Sequence, residues 1–189
     1  MNENLLKILI PLLKDPDENV KKAAAYAIEQ IEKKAKIIQL ASSIKGQDKV
    51  TRLRIVNAMA GIKDDVVRDA LKESANDEEP EIRAAAVKGL AMMKDGANLE
   101  IFVEKLKDPV KAVRLHAIMG LGLCGDKRAT EFLIPLLLVQ DIEVVDTALK
   151  AVAELKDKRV LEYVGRLLSH PHPLIRARAC MVIGILGSE

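Results

Sequence analysis

Ile82-Arg-Ala-Ala-Ala-Val-Lys-Gly-Leu90 is one copy of a phrase that recurs along the chain at a fixed interval. Steps of 31 residues from Ile82 land on Val20, Thr51, Val113, Val144 and Ile175 with no slip. Eight residues after each of these anchors stands an apolar residue: Ile28, Met59, Leu90, Leu121, Val152 and Ile183. Eleven after stands another: Ile31, Ile62, Met93, Cys124, Leu155 and Leu186. Seven after, the residue is small or β-branched: Ala27, Ala58, Gly89, Gly120, Ala151 and Val182. A fixed period of this size marks a repeat array, in which each unit buries its apolar face against its neighbours and the molecule grows in one dimension.

Working back from each anchor, a second pair of columns appears. Eleven residues before stand Leu9, Leu40, Leu71, Phe102, Leu133 and Val164, and seven before stand Leu13, Ile44, Ala75, Leu106, Leu137 and Leu168. A spacing of four, with no run of period two anywhere, predicts an amphipathic helix ahead of the anchor helix. Each unit is therefore a helical hairpin, with repeats at 3–33, 34–64, 65–95, 96–126, 127–157 and 158–188 within a single domain spanning 1–189. Turn chemistry agrees. Asp17, Asp48 and Asp141 stand three residues before their anchors, where a carboxylate caps the open amides of the second helix. Pro80 and Pro173 fall at the first helical residue, where the missing N–H costs nothing. Asp108-Pro109 does the same work two residues earlier, whereas Glu79 and His172 are poorer caps.

Composition narrows the class. Hydrophobic residues make up 49% and charged residues 31%, enough to build a core, but aromatics are only 2% and there is no Trp. The core must be aliphatic. A formal net charge of +2 gives no strong field to draw nucleic acid or an anionic membrane. Cys124 and Cys180 sit at apolar helical positions two repeats apart, too far for a disulfide when helices pack about 8–10 Å apart. Two unpaired, buried thiols suit a reducing cytosol. Leu5 to Leu13 lacks the flanks of a signal peptide, and no apolar run approaches the ~20 residues of a membrane span, so a cytoplasmic protein with no membrane partner is expected.

Asp-Lys-Arg-Ala-Thr-Glu-Phe-Leu-Ile-Pro-Leu-Leu (126–137), the related Asp-Lys-Arg-Val-Leu-Glu-Tyr (157–163) and the Ile82-Arg and Val113-Arg openings resemble the short HEAT-like repeats of the phycobilisome lyases. The resemblance covers essentially the whole chain. Together with the period it implies an all-α fold, a right-handed α-solenoid (superhelix) of six 31-residue helical hairpins. The second repeat departs most, with Thr51 at the anchor, Lys36 and Gln39 in the first helix and Gly61 late in the second. The Arg that follows the anchor recurs as Arg52, Arg83, Arg114 and Arg176. Similar repeats pair this Arg with an Asp of a neighbouring unit, and Asp64, Asp95, Asp126 and Asp157 recur at the repeat ends, so a structural charge ladder is expected rather than a phosphate-binding stripe.

In the resembling family the second helices line the concave face. Residues two, three, six and ten after each anchor form one stripe on such a helix. Along that stripe the partner-binding candidates are Tyr26, Arg54, Asn57, Lys88, Met92, Leu115, His116, Met119, Lys150, Arg178 and Met181, with Leu123 and Ile185 beside them. Adaptable methionines and separated cations suit a groove for a protein or peptide, while the competing expectation is that superhelical curvature tucks some of these apolar side chains into the core.

Catalytic readings find little to hold. Deoxyhypusine hydroxylases, built of similar repeats, bind iron through His-Glu dipeptides, and this chain has none. His116 and the His170-Pro171-His172 turn are about two repeat spacings, or ~20 Å, apart, too far to share a metal. No phosphate loop or nucleophile elbow is present. Tyr26 is the one groove aromatic, too little for base stacking, so nucleic acid is disfavoured. The first helix (Leu5, Leu6, Ile8, Leu9, Ile10, Leu12, Leu13) and the last (Ala179 to Leu186) are apolar nearly all round, which points to contacts at the terminal repeats with a second copy or another subunit. The expectation is a non-enzymatic scaffold that binds a protein or peptide, with no catalytic residues, metal or cofactor. The alternative is an auxiliary subunit of a lyase-like modifying enzyme, as the phycobilisome-lyase resemblance implies for bilin attachment by a paired chain.

Overall fold

A computed structural model describes residues 2–188, and every regular element among them is helical. In chain order the α-helices are α1 (Asn2–Leu9), α2 (Glu18–Ala41), α3 (Lys49–Met59), α4 (Asp65–Ser74), α5 (Pro80–Met92), α6 (Leu99–Lys105), α7 (Lys111–Leu123), α8 (Ala129–Leu133), α9 (Ile142–Leu155), α10 (Leu161–Arg166) and α11 (Pro173–Gly187). Short 3-10 segments extend α1 over Ile10–Lys14 and α8 over Ile134–Leu138. Pro11 and Pro135, near the start of each, leave an amide out of the α pattern there. From α4 onward the helices alternate as hairpins in the phase set by the anchors. The anchor helices α3, α5, α7, α9 and α11 contact one another in unbroken succession, while the first helices touch far less, so the array closes up on its anchor-helix side.

The columns read from the sequence are the core. Ile82, Val113 and Ile175 are fully buried anchors, and Met59, Leu90, Leu121 and Val152 are equally buried eight residues on. The small column, seven after the anchor, has a steric cause. A Cβ added at Gly89 would stand 3.2 Å from Leu71, and one added at Gly120 would stand 2.5 Å from the Phe102 ring. Leu71 and Phe102 belong to the column eleven before the anchor, so the small residue on the second helix is the socket for the large residue on the first. Phe102, the largest fully buried side chain, fits only because Gly120 faces it.

Asp17, Asp48 and Asp141 cap their helices as expected: Asp17 accepts from the Asn19 and Val20 amides, Asp48 from Val50 and Thr51, and Asp141 from Glu143 and Val144. Glu79 and His172 make no side-chain cap, and Pro80 and Pro173 open those helices instead. Five residues before the anchor a further turn recurs. Asp77 accepts from the Glu79 amide, Asp108 from Val110, and His170 Nδ1 from His172. His170 is thus a turn residue, and Asp108 caps this turn rather than α7, whose N-cap position is Val110.

The arginine ladder is structural, but its partners differ from the expected ones. Arg52 and Arg83 grip Asp77 and Asp108, which lie in the next repeat's turn. All four arginines also donate to carbonyls of their own turn, Arg114 to Asp108 and Pro109, and Arg176 to His170 and Pro171. The repeat-end aspartates do something else. Asp64, Asp95, Asp126 and Asp157 accept from the amides of Val66, Ala97, Arg128 and Arg159, starting the next repeat. Asp95 and Asp157 are also reached by Arg68 and Thr130 from the start of their own units.

The boundary expected between residues 33 and 34 does not exist. α2 runs unbroken from Glu18 to Ala41, merging the second helix of the first repeat with the first helix of the second. The other junctions show why. Each has a left-handed residue shortly before the capping Asp: Gly61, Lys94, Gly125 and Lys156 have φ of 77°, 51°, 76° and 53°. At the corresponding place stand Glu32 and Lys33, with neither a Gly nor an Asp, and the helix has no reason to stop. Only Ala24 and Ala41 of α2 are buried, and Leu40 is left exposed. The thiols need one correction as well: Cys124 is buried but Cys180 is exposed on α11, and both are free.

Candidate interaction groove

The stripe positions two, three, six and ten after the anchor lie along α2, α3, α5, α7, α9 and α11, on successive helices of the closely packed layer, except for Gly61, which follows α3. The competing expectation, that curvature tucks some of the apolar members into the core, holds in part, since Leu115, Met119 and Leu123 pack against the core while the others stand exposed. Met92 and Met181 are 47% and 58% exposed, Ile185 is 42% exposed, and Leu115, Met119 and Leu123 are half-buried. Tyr26 is 65% exposed on α2.

Between α7 and α9 the surface opens into a cleft of ≈ 460 Å³ floored by Leu115, Met119, Leu123 and Ala151 and edged by His116, Thr147, Lys150 and Glu154. This is within the ~300–1,000 Å³ range of ligand pockets. Its lower wall has a definite origin. At Gly122 the α7 backbone comes so close to α9 that an added Cβ would stand 2.5 Å from Ala151 Cα, so Gly122 sets the helices together beneath the cleft. A second cleft of ≈ 170 Å³ adjoins it between α9 and α11, lined by Arg178, Met181, Val182 and Ile185, and shares Lys150 and Glu154 with the first. Leu115, His116, Met119, Lys150, Arg178 and Met181 thereby line two adjoining clefts that meet at Lys150 and Glu154, together the trough of this surface. Tyr26, Arg54, Asn57, Lys88 and Met92 lie on earlier helices outside both clefts, with Met92 resting 3.8 Å from the position a Gly61 side chain would take.

The charges of the stripe are not equivalent, which the sequence reading missed. Asp146, itself a stripe residue, holds Lys150 at 2.6 Å and Arg178 at 2.7 Å. Burial alone would raise its pKa, but those two hydrogen-bonded cations outweigh burial and hold the carboxyl below its ordinary range. The trough's own cations thus share a single carboxylate within it. The half-buried setting of His116 and then the nearby Lys88 charge lower its pKa from the ordinary imidazole value. Arg54 and Lys88 are exposed and make no ion pair among the described residues. Nothing in the trough sets a nucleophile against a base, and no group of three or more His, Cys, Asp or Glu side chains able to hold a metal occurs among the described residues.

Two further surfaces stand apart. Leu99, Val103 and Phe132, with Glu100, Arg128 and Glu131, line a cleft of ≈ 370 Å³ on the first-helix side. At the start of the array Leu5, Ile8, Ile10, Leu12 and Leu13 are exposed. No helix among the described residues is long and apolar enough to cross a membrane.

Comparison with known proteins bears on the fold. The family described as HEAT repeats matches residues 35–104 and 99–161, and a single HEAT repeat matches residues 5–35. No curated protein sequence matches the chain. Among solved structures, the complex of CpcE and CpcF of phycocyanin lyase from Nostoc sp. PCC7120 superposes with a TM-score of 0.69 at 19% identity, over 79% of this chain and 64% of that one. The chain thus spans less than two thirds of that relative's length. An engineered protein aligns over 98% of this chain and 97% of its own, with a TM-score of 0.64 and 18% identity. A designed armadillo repeat protein in complex with the peptide (KR)4 aligns over 96% and 99%, with a TM-score of 0.58 and 16% identity. Identities this low speak to the solenoid fold alone.

Proposed function

The chain belongs to the HEAT-repeat family, and from that premise we propose that it is a non-catalytic interaction module holding a protein segment or peptide along the stripe of its anchor helices. The observation that carries the reading is the trough formed by the two adjoining clefts, whose exposed Met181 and half-buried Met119 and Leu115 offer apolar surface for a partner to cover. Structural neighbours support it at the level of kind: one is a complex of two protein chains and another a repeat protein in complex with a peptide. Free Cys124 and Cys180 suit work in a reducing cytosol.

The test is affinity capture from a native lysate by the wild-type chain beside Met119→Asp, Met181→Asp and Phe132→Asp. The first two alter the trough and the third the opposite face. A partner retained by Phe132→Asp and lost by both trough variants supports the reading, and loss only with Phe132→Asp overturns it. Met181 is exposed, so its variant remains informative if Met119→Asp fails to fold.

A second reading, an auxiliary subunit of a modifying enzyme, is favoured by the likeness to the CpcE and CpcF complex together with the exposed apolar surface of Leu5, Ile8 and Ile10. A captured partner that shows catalytic turnover only with this chain present distinguishes it from a plain scaffold. Sedimentation of the purified chain separates docking on a second copy from docking on another subunit.

A further inference from the structure

The uneven charge of the stripe specifies what the trough accepts. Resting on the groove reading above, we infer that the occupant is an extended peptide segment with carboxylates at one end and apolar side chains at the other. The argument is one of complementarity. Over α7, α9 and α11 the trough is floored by apolar side chains, and its cations Lys150 and Arg178 both already hold the Asp146 carboxylate. Over α3 and α5 the stripe carries Arg54 and Lys88, exposed and with no carboxylate partner among the described residues. α5, which carries Lys88, packs directly against α7, which carries Leu115, His116 and Met119, so the cationic stretch runs directly into the apolar one.

Helix spacing then fixes the pattern. Adjacent helices lie about 8–10 Å apart, and a segment in the extended polyproline II conformation advances about 3.1 Å per residue and returns every third side chain to the same face, so every third side chain meets the next helix. The matching segment reads acid-x-x-acid-x-x-apolar-x-x-apolar, its acids over α3 and α5 and its apolar residues in the clefts beyond. A basic segment meets Arg54 and Lys88 as like charges. A nucleic-acid strand would lay phosphates over Leu115, Met119 and Leu123, which cannot solvate them.

The experiment uses fluorescein-labelled decamers with serine spacers in fluorescence polarisation against the whole chain. One has the block order Glu, Glu, Leu, Leu at every third position. A second interleaves them as Glu, Leu, Glu, Leu, with the same composition and charge. A third replaces the acids by lysine, and a ten-nucleotide single-stranded DNA completes the set. The block decamer should bind about tenfold tighter than the interleaved one, a difference of about 1.4 kcal/mol. In Arg54→Glu/Lys88→Glu the preference should fall to within about twofold, and 0.5 M salt should narrow it in the wild type. Both positions are exposed, and Arg54→Gln/Lys88→Gln repeats the test with a milder change. Equal binding of the two acidic decamers, tighter binding of the lysine decamer or the DNA, or a preference that survives the charge reversal overturns the inference. If no decamer binds while lysate capture still yields a trough-dependent partner, the inference falls and the groove reading stands. Failure of both removes the groove as well.

Discussion

Arg83 ties two repeats together: its Nε and Nη2 donate to the Asp108 carboxylate at 2.9 and 3.1 Å, while Nη1 donates to the carbonyls of Asp77 and Glu78 at 3.0 and 3.1 Å. The two side chains are only 13% and 5% exposed, so removing either partner strands the other out of water. Arg83→Ala should cost about 2–4 kcal/mol of unfolding free energy. Arg83→Lys should recover only part of it, because an ammonium cannot reproduce the guanidinium fork. Urea unfolding of both variants checks this, and an Arg83→Lys as stable as the wild type would show that charge alone matters.

The same geometry identifies a missing rung. Arg114 holds its own turn, but the position 25 residues on, where Arg52 and Arg83 each find an aspartate, is Val139. Arg114 and Val139 line one cleft, so the guanidinium is within reach. Val139→Asp should therefore stabilise the chain by about 0.5–1 kcal/mol at low salt, with the gain shrinking as salt is added. Thermal melts at two ionic strengths measure it.

Strong acid should weaken the repeat junctions. Hydrogen bonds from Arg159, opposed by burial and reinforced by Thr130, lower the pKa of Asp157 from 3.8 to about 2. A folded-state pKa below the unfolded one contributes stability that is complete above about pH 4 and is lost as pH falls toward 2. Asp157→Asn should be less stable than the wild type by about 1 kcal/mol at neutral pH, and the two should converge near pH 2. Melting temperatures across pH 2–7 give the comparison, and a gap that persists at pH 2 would show that the loss is not one of charge.

Glycines offer a paired test of the helix contacts. Gly122→Ala puts a Cβ 2.5 Å from the Ala151 backbone beneath the trough, and Gly184→Ala meets nothing within 4 Å. The first should destabilise by about 1–3 kcal/mol through overpacking and disturb the cleft between α7 and α9. The second should stabilise by about 0.5–1 kcal/mol through helix propensity. Opposite signs in denaturant midpoints are the expected result.

The period and its columns were legible because a solenoid repeats each packing contact every 31 residues, so Gly89 against Leu71 and Gly120 against Phe102 appear as columns of small and large residues. The continuity of α2 was legible too, but only to a reading of junctions rather than of columns: Glu32-Lys33 stands where Gly125-Asp126 and Lys156-Asp157 end their helices. The clefts were visible as an apolar stripe, although Met119 and Met92 differ in exposure because of local neighbours. The pairing of Asp146 with Arg178 across 32 residues was hidden, since both residues sit on the stripe and nothing in their spacing says that they meet.

The most direct test of the interaction groove is a methyl-methionine NMR titration of the chain with a partner captured by it. Met59 and Met93 are buried in the core, while Met92, Met119 and Met181 report on the stripe. A partner seated in the trough shifts the Met119 and Met181 methyl signals and leaves those of Met59 and Met93 in place. A partner that binds without moving Met119 or Met181 is held elsewhere, and the groove assignment is then wrong.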